Sequence, residues 1–138
     1  AAPPKPSTTS PEKPACRILI AEDDDDSGRL MLKLAKSRGW EATLVSDGEA
    51  ALEAFQEGTF DIVLLDLRMP KLDGIQTSRE IRRLEPPGQR VPIIAISAYM
   101  ASDLYLSITE AGIDLFLEKP IIPELVVKTI NECLQPAD

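Results

Sequence analysis

Ile62-Val63-Leu64-Leu65-Asp66 is an unbroken apolar run that stops on a carboxylate. Two further runs share its character, Ile18-Leu19-Ile20 and Ile93-Ile94-Ala95-Ile96. A strand with one wet face alternates apolar and polar residues. These runs do not alternate, so both of their faces must be covered, as in a parallel sheet between two helical layers. Working outward, five segments read as strands: Arg17–Ala21, Glu41–Ser46, Phe60–Asp66, Val91–Ala98 and Ile113–Glu118. Helical spacing fills the intervals. Leu30, Met31, Leu34 and Ala35 form one stripe, and Ala50, Ala51, Ala54 and Phe55 a second. Ile75, Ser78, Ile81 and Arg82 make a more polar third helix. Leu104, Ile108 and Ala111 mark a fourth, and Leu125, Val126, Ile130, Cys133 and Leu134 a fifth. Gly39, Gly58, Gly88 and Gly112 fall near helix ends and Pro123 near a helix start, where those residues belong. Strict alternation predicts a (βα)5 doubly wound α/β domain with a five-stranded parallel sheet. Right-handed crossovers make 2-1-3-4-5 the expected strand order, the flavodoxin-like arrangement.

The chain has 138 residues, enough for one ordinary domain. A charged fraction of 28% and a hydrophobic fraction of 43% exclude wholesale disorder. No apolar run approaches the ~18 residues that a membrane span needs, and no secretory leader opens the chain. Cys16 and Cys133 are too few for a disulfide framework, so a reducing cytoplasm is the expected compartment. The absence of histidine removes Ser-His-Asp and Cys-His triads, histidine-ligated metals and phosphohistidine on this chain. Fifteen Lys and Arg against 23 Asp and Glu leave a net charge of −8. That balance argues against direct nucleic-acid binding, which depends on basic surfaces, and no membrane contact is expected either. Glu22-Asp23-Asp24-Asp25-Asp26 concentrates five acids in consecutive positions. Residues 1–15 (AAPPKPSTTSPEKPA) are Pro-rich and without periodicity. They are expected to be a disordered linker, either a tether to something upstream or a cloning remnant. Residues 16–135 then form the folded domain and 136–138 a tail.

In open α/β sheets, ligands bind beyond the carboxyl ends of the strands, where the strand order reverses. For order 2-1-3-4-5 that point lies between the first and third strands. The first strand runs into Glu22-Asp23-Asp24, the third ends in Asp66, the fourth in Ser97 and the fifth in Lys119-Pro120. Two strands thus bring carboxylates to one edge, with a hydroxyl and an ammonium beside them. Oxygen ligands of this kind suit a hard cation, and the ammonium and hydroxyl suit a phosphate. Each residue alone has a plainer explanation. Acids after a strand commonly cap the next helix, Asp66 and Ser97 are ordinary strand ends, and Lys119 is an ordinary surface lysine. Their convergence on one sheet edge is what favours a site.

Arg17-Ile-Leu-Ile-Ala-Glu-Asp-Asp24, Asp66-Leu-Arg-Met-Pro-Lys-Leu-Asp-Gly74, Ala95-Ile-Ser-Ala98 and Glu118-Lys-Pro120 resemble the signature segments of two-component response-regulator receiver domains. The resemblance runs from about Cys16 to Gln135. It implies that Asp66 is the phosphoacceptor, served by a histidine kinase, a histidine phosphotransfer domain or a small acyl phosphate. It implies Mg²⁺, with Mn²⁺ as an alternative, held by Asp23 and Asp66, by Glu22 through water, and by the Arg68 backbone carbonyl. It further implies that Lys119 pairs with Asp66 and then with the phosphoryl group, and that Ser97 hydrogen-bonds that group. Phe116 becomes the aromatic switch residue, and the Lys119–Pro120 peptide is expected to be cis. On this resemblance the chain is no enzyme but a signalling domain with self-catalysed phosphotransfer and autodephosphorylation. Its helix-4/strand-5 surface would switch, and a dimer could form through the helix-4/strand-5/helix-5 face. Because no output domain follows the fifth helix, the expected parent is a hybrid sensor histidine kinase rather than a stand-alone regulator.

Some positions depart from the family pattern. Position 21 is Ala, the switch aromatic is Phe116 rather than Tyr, and Arg68 and Tyr99 stand two residues after Asp66 and Ser97. Arg68 either stabilises or shields a phosphate, or lies on the surface. Three other readings compete. A haloacid-dehalogenase-type phosphohydrolase needs a second Asp where this chain has Arg68, and a cap insertion besides. A flavodoxin-like cofactor domain needs a Ser/Thr/Gly loop where this chain has five acids. A receiver-shaped interaction module that is never phosphorylated would not need the whole acid, lysine and serine set.

Overall fold

A computed structural model describes residues 16–69, 73–98 and 102–134. The expected linker at 1–15, the tail at 136–138, Gln135 and Tyr99 lie outside the described residues. The order of elements is β1 (Arg17–Ala21), α1 (Asp25–Ser37), β2 (Glu41–Val45), α2 (Gly48–Glu57), β3 (Ile62–Asp66), α3 (Gly74–Leu84), β4 (Ile93–Ser97), α4 (Ser102–Glu110), β5 (Leu115–Glu118) and α5 (Pro123–Leu134). The five strands pair in parallel, in the order β2-β1-β3-β4-β5. This is the expected doubly wound sheet.

Alternation along each strand divides the apolar side chains between two faces. Leu19, Ala21, Val63, Leu65, Ile93 and Ala95 pack with Ala51 of α2, Ile81 of α3 and Ile108 of α4. Ile18, Ile20, Ile62, Leu64, Ile94 and Ile96 pack with Met31 of α1 and Val126 and Ile130 of α5. Strand side chains from Ile18 to Ala21 and from Ile62 to Leu65 are at most 2% exposed. The unbroken apolar runs therefore mean what they suggested, coverage on both faces.

Four strands are shorter than expected, β1 alone keeping its bounds, and flanking carboxylates hold the first N–H of β1 and of β4. The Asp61 carboxylate accepts the Arg17 N–H at 2.8 Å and the Asp114 carboxylate accepts the Ile93 N–H at 2.9 Å. These side chains take backbone donors at the strand starts. Pro92, which has no N–H, cannot extend β4 as a full ladder member. Both the first and the fifth helix form as expected, but one residue of each apolar stripe faces outward. Leu30 is 37% and Leu125 44% exposed, whereas Met31, Ala35, Val126 and Ile130 are buried. Rows 30/34 and 31/35 obey the same i, i+4 spacing, so periodicity alone could not choose between them.

Asp24, Asp47 and Asp73 cap α1, α2 and α3, each carboxylate accepting an N–H three residues on. At Gly74 the backbone of α3 presses on the end of β3. A Cβ there would lie 2.5 Å from the Asp66 carbonyl oxygen and 2.8 Å from Leu67 Cα. Only glycine permits this approach.

Candidate functional site

The carboxyl ends of β1, β3 and β5 bring the predicted charged residues together. Asp66 is the last residue of β3 and is 5% exposed. Glu22 follows β1, held there by its N–H bond to the Val45 carbonyl at 3.0 Å, and is 3% exposed. Asp23 beside it is exposed. Carboxylate oxygens of Glu22, Asp23 and Asp66 lie within 4.8 Å of one another. Lys119 follows β5 and its ammonium reaches both buried acids, 3.1 Å from Glu22 Oε1 and 3.3 Å from Asp66 Oδ2. It also donates to Glu22 Oε2 at 3.2 Å. The Lys119–Pro120 peptide is cis, as expected.

Backbone donors complete the setting. The Asp24 N–H reaches Glu22 Oε2 at 3.1 Å, and the Arg68 N–H reaches Asp66 Oδ1 at 3.0 Å. Among the described residues Glu22 Oε1 is buried without a hydrogen-bond partner. Its approach to Lys119 is one of charge rather than of hydrogen-bond geometry. Burial, followed by the neighbouring Asp66 carboxyl, pushes the Glu22 carboxyl up to about 7. Burial works against the Lys119 charge, but Glu22 and Asp66 outweigh it and hold the ammonium above its usual range.

The capping explanation holds for one residue of the acidic run. Asp24 accepts the Ser27 N–H at 2.8 Å, which lowers its carboxyl below the usual range. Asp25 and Asp26 occupy the first turn of α1, and Asp26 pairs with Arg29 at the surface. Glu22 is turned into the sheet edge instead. Ser97 closes β4, is 2% exposed, and its carbonyl accepts the Lys119 N–H at 2.8 Å. Phe116 lies opposite Ala95 and is half-buried against the core cluster beneath α4. Arg68 is exposed, so its backbone, not its guanidinium, is what meets Asp66.

Two features of the site were not assigned from the sequence. The family resemblance pairs Lys119 with Asp66 alone, and the Glu22 contact depends on burial that composition does not reveal. In the sequence Gly74 is only the last residue of the Asp66–Gly74 segment. Its place eight residues after Asp66 was the available signal, but its closeness to the Asp66 carbonyl is a matter of packing.

Comparison with known proteins places these residues in context. The family model for the response regulator receiver domain matches residues 18–131. Hybrid signal transduction histidine kinase I of Dictyostelium discoideum is 33% identical over 121 residues, which is 83% of this chain and 7% of that protein. Sensor protein GacS of Pseudomonas syringae pv. syringae is 35% identical over 109 residues, 78% of this chain and 12% of that protein. The chain thus spans a small part of these relatives' length. Among solved structures, the receiver domain of sensor histidine kinase PA1611 from Pseudomonas aeruginosa PAO1 is 30% identical, with a TM-score of 0.79. The match covers 88% of this chain and 98% of that one, and that structure is described with a magnesium ion coordinated in its active site cleft. The Vibrio cholerae chemotaxis protein CheY4, 22% identical over 88% of this chain and all of its own, has a TM-score of 0.83 and shares the fold. Among the described residues no helix is long and apolar enough to cross a membrane.

Proposed function

Because the chain belongs to the response regulator receiver domain family of two-component signalling, we propose that Asp66 accepts a phosphoryl group from a phosphohistidine. The observation that carries this reading is the buried Asp66 carboxylate, set between the Lys119 ammonium and two further acids at the sheet edge. A divalent cation fits the same edge. Glu22 Oε1 is buried and receives no hydrogen bond, with only the Lys119 charge beside it, and the set of ligand atoms is all carboxylate, the chemistry a hard cation takes. Glu22, Asp23 and Asp66 would hold Mg²⁺, with the Arg68 carbonyl as a further ligand. The solved relative speaks of magnesium, so Mg²⁺ rather than Mn²⁺ is the ion proposed. When bound, the ion supplies charge neutralisation for an incoming phosphoryl group.

The chain's own residues do the rest. An Asp66 oxygen bonds phosphorus as the N–P bond breaks, and the imidazole leaves with the electron pair and takes up a proton. The Arg68 N–H, on Asp66 Oδ1, orients the carboxylate so that the other oxygen faces Lys119. Lys119 stabilises charge on the phosphoryl oxygens, where positioning and electrostatics carry the transfer. Water attack on phosphorus later returns inorganic phosphate and the free carboxylate, so the domain is a self-resetting phosphoacceptor rather than an enzyme. The added charge, about one unit beyond that of the carboxylate, draws Ser97 and Lys119 inward. Phe116 then repacks and alters the α4/β5 surface.

The donor is a histidine kinase or a histidine phosphotransfer domain, and residues 16–135 are the unit that acts in the cytoplasm. Exposed Leu106 and Leu115 on α4 and β5 support that face as the one that docks a partner or a second copy. Asp66→Asn tests the reading, since the amide is nearly isosteric and relieves carboxylate crowding. Intact-mass spectrometry after treatment with an acyl phosphate and Mg²⁺ should show one added phosphoryl group on the wild type and none on the variant. A fully labelled variant would move the acceptor elsewhere and defeat the assignment.

A further inference from the structure

The opposite end of the sheet from Asp66 carries a second polar construction, built around Arg82 of α3. Its side chain is 14% exposed. Nε and Nη2 donate to the Gly112 carbonyl at 3.0 and 2.7 Å, and Nη2 also to Asp114 Oδ2 at 2.8 Å. Nη1 donates to the Val91 carbonyl at 2.8 Å and to Glu85 Oε2 at 2.6 Å. All the donors of the planar guanidinium fork are thereby used. Other groups hold the same turn. Ser78 Oγ donates to the Ala111 carbonyl at 2.8 Å, and Asp114 exchanges bonds with both backbone groups of Ile93, each at 2.9 Å. Gly112 has φ +86°, and a Cβ there would stand 2.8 Å from Arg82 Cγ and Nε. Hydrogen bonds weaken steeply with misalignment, so shifting residues 111–114 would disrupt several at once.

This turn joins α4 to β5. The far end of β5, Glu118, lies about 13 Å from Asp114 at ~3.3 Å per residue and leads directly into Lys119. We propose that Arg82 is a positioning residue that makes Ala111–Asp114 the fixed end of the α4/β5 unit. A signal arriving at Ser97 and Lys119 then tilts α4 about Gly112 instead of sliding the whole unit. The signal's origin rests on the phosphoacceptor reading; the fixed turn does not.

Two measurements on the full chain decide it. Arg82→Lys keeps the charge but loses the fork, and Ser78→Ala removes one bond and serves if the first variant does not fold. Without ligand, amide exchange at Gly112, Ile113 and Asp114 should quicken at least tenfold in Arg82→Lys and about threefold in Ser78→Ala, with Val63 and Leu65 unchanged. With Mg²⁺ and beryllofluoride, wild-type amide shift changes should fall away along α4 towards Ala111. In the variants they should at least double at residues 111–116, while the bound ¹⁹F resonance stays the same. Unaltered exchange in the variants, or wild-type changes as large at residues 111–114 as at 102–105, overturns the proposal. A wild type that binds no beryllofluoride counts against the phosphoacceptor reading, and the exchange arm still judges the clamp.

Discussion

Lys119 Nζ lies 3.1 Å from Oε1 of Glu22, a residue 97 positions earlier in the chain. The same ammonium reaches Asp66, so one cation joins the ends of β1, β3 and β5. Glu22 is almost wholly buried, and breaking a pair of this kind strands a charge away from water. The lysine is therefore shared between two acids before any phosphoryl group arrives.

Lys119→Ala should leave some phosphorylation but uncouple it from the α4/β5 face. The acid set and the ion it would hold remain, whereas on the proposed reading the lysine would carry phosphoryl charge to β5, three residues from Phe116. A charge-assisted contact of ~1.5–3 kcal/mol matches the few kcal/mol that separate two switch states. Amide shifts at Ser97 and Phe116 on beryllofluoride addition should shrink strongly in the variant. Wild-type-sized shifts would mean that Ser97 alone carries the signal.

Mg²⁺ should raise the melting temperature of the metal-free chain. A ligand that prefers the native state stabilises it by mass action, ~1.4 kcal/mol at ten times its dissociation constant. Asp23→Ala should remove most of that effect, because Asp23 is the exposed member of the acid set. Equal shifts in wild type and variant, read by calorimetry, would place the metal elsewhere.

The metal-free domain should lose stability as pH rises from about 4.5 to about 7. Burial and Asp66 raise the Glu22 carboxyl from 4.5 in the exposed state to about 7 in the fold. In that window the folded chain holds a proton that the unfolded chain has released, so each increment of pH favours unfolding. Glu22→Gln does not titrate there and should flatten the slope. Urea midpoints at pH 5 and pH 7.5, with chelator present, check the sign; a wild-type midpoint that climbs over this range contradicts it.

Gly74→Ala should destabilise the fold by ~1–3 kcal/mol, the usual cost of overpacking. The new methyl meets the Asp66 carbonyl oxygen and Leu67 Cα, both backbone, so relief requires β3 or α3 to move. Gly58→Ala is the control, since its Cβ would meet only Phe60 ring atoms at 3.4–3.5 Å and the Ala54 carbonyl oxygen at 3.6 Å. Denaturant midpoints should separate the two, and Mg²⁺ affinity should fall only in Gly74→Ala.

Much of the site was legible because chemistry was concentrated at strand ends. Asp66, Ser97, Lys119 and the Glu22–Asp23 pair could be placed on one edge as soon as strand order was assumed. What could not be read was which of two equivalent helical rows turns inward, as with Leu30 against Met31. Nor could partners be chosen where several would serve, as with Lys119 between Glu22 and Asp66. Arg82 is legible only as a polar member of the third helix, because two of its acceptors are backbone carbonyls, which leave no mark in residue identity, and its Asp114 partner is 32 residues away.

The sequence by itself determined the (βα)5 alternation, since buried parallel strands require apolar runs such as Ile62–Leu65, and it set a carboxylate at the end of that run. Those properties are local, expressed within a few residues of chain. Tertiary structure alone decided that Glu22 is buried and Asp23 is not, that one ammonium serves two acids, and that Gly112 and Asp114 are gripped by Arg82. Each of these depends on contacts between segments tens of residues apart, where burial and the geometry of neighbouring strands fix what a charge can reach.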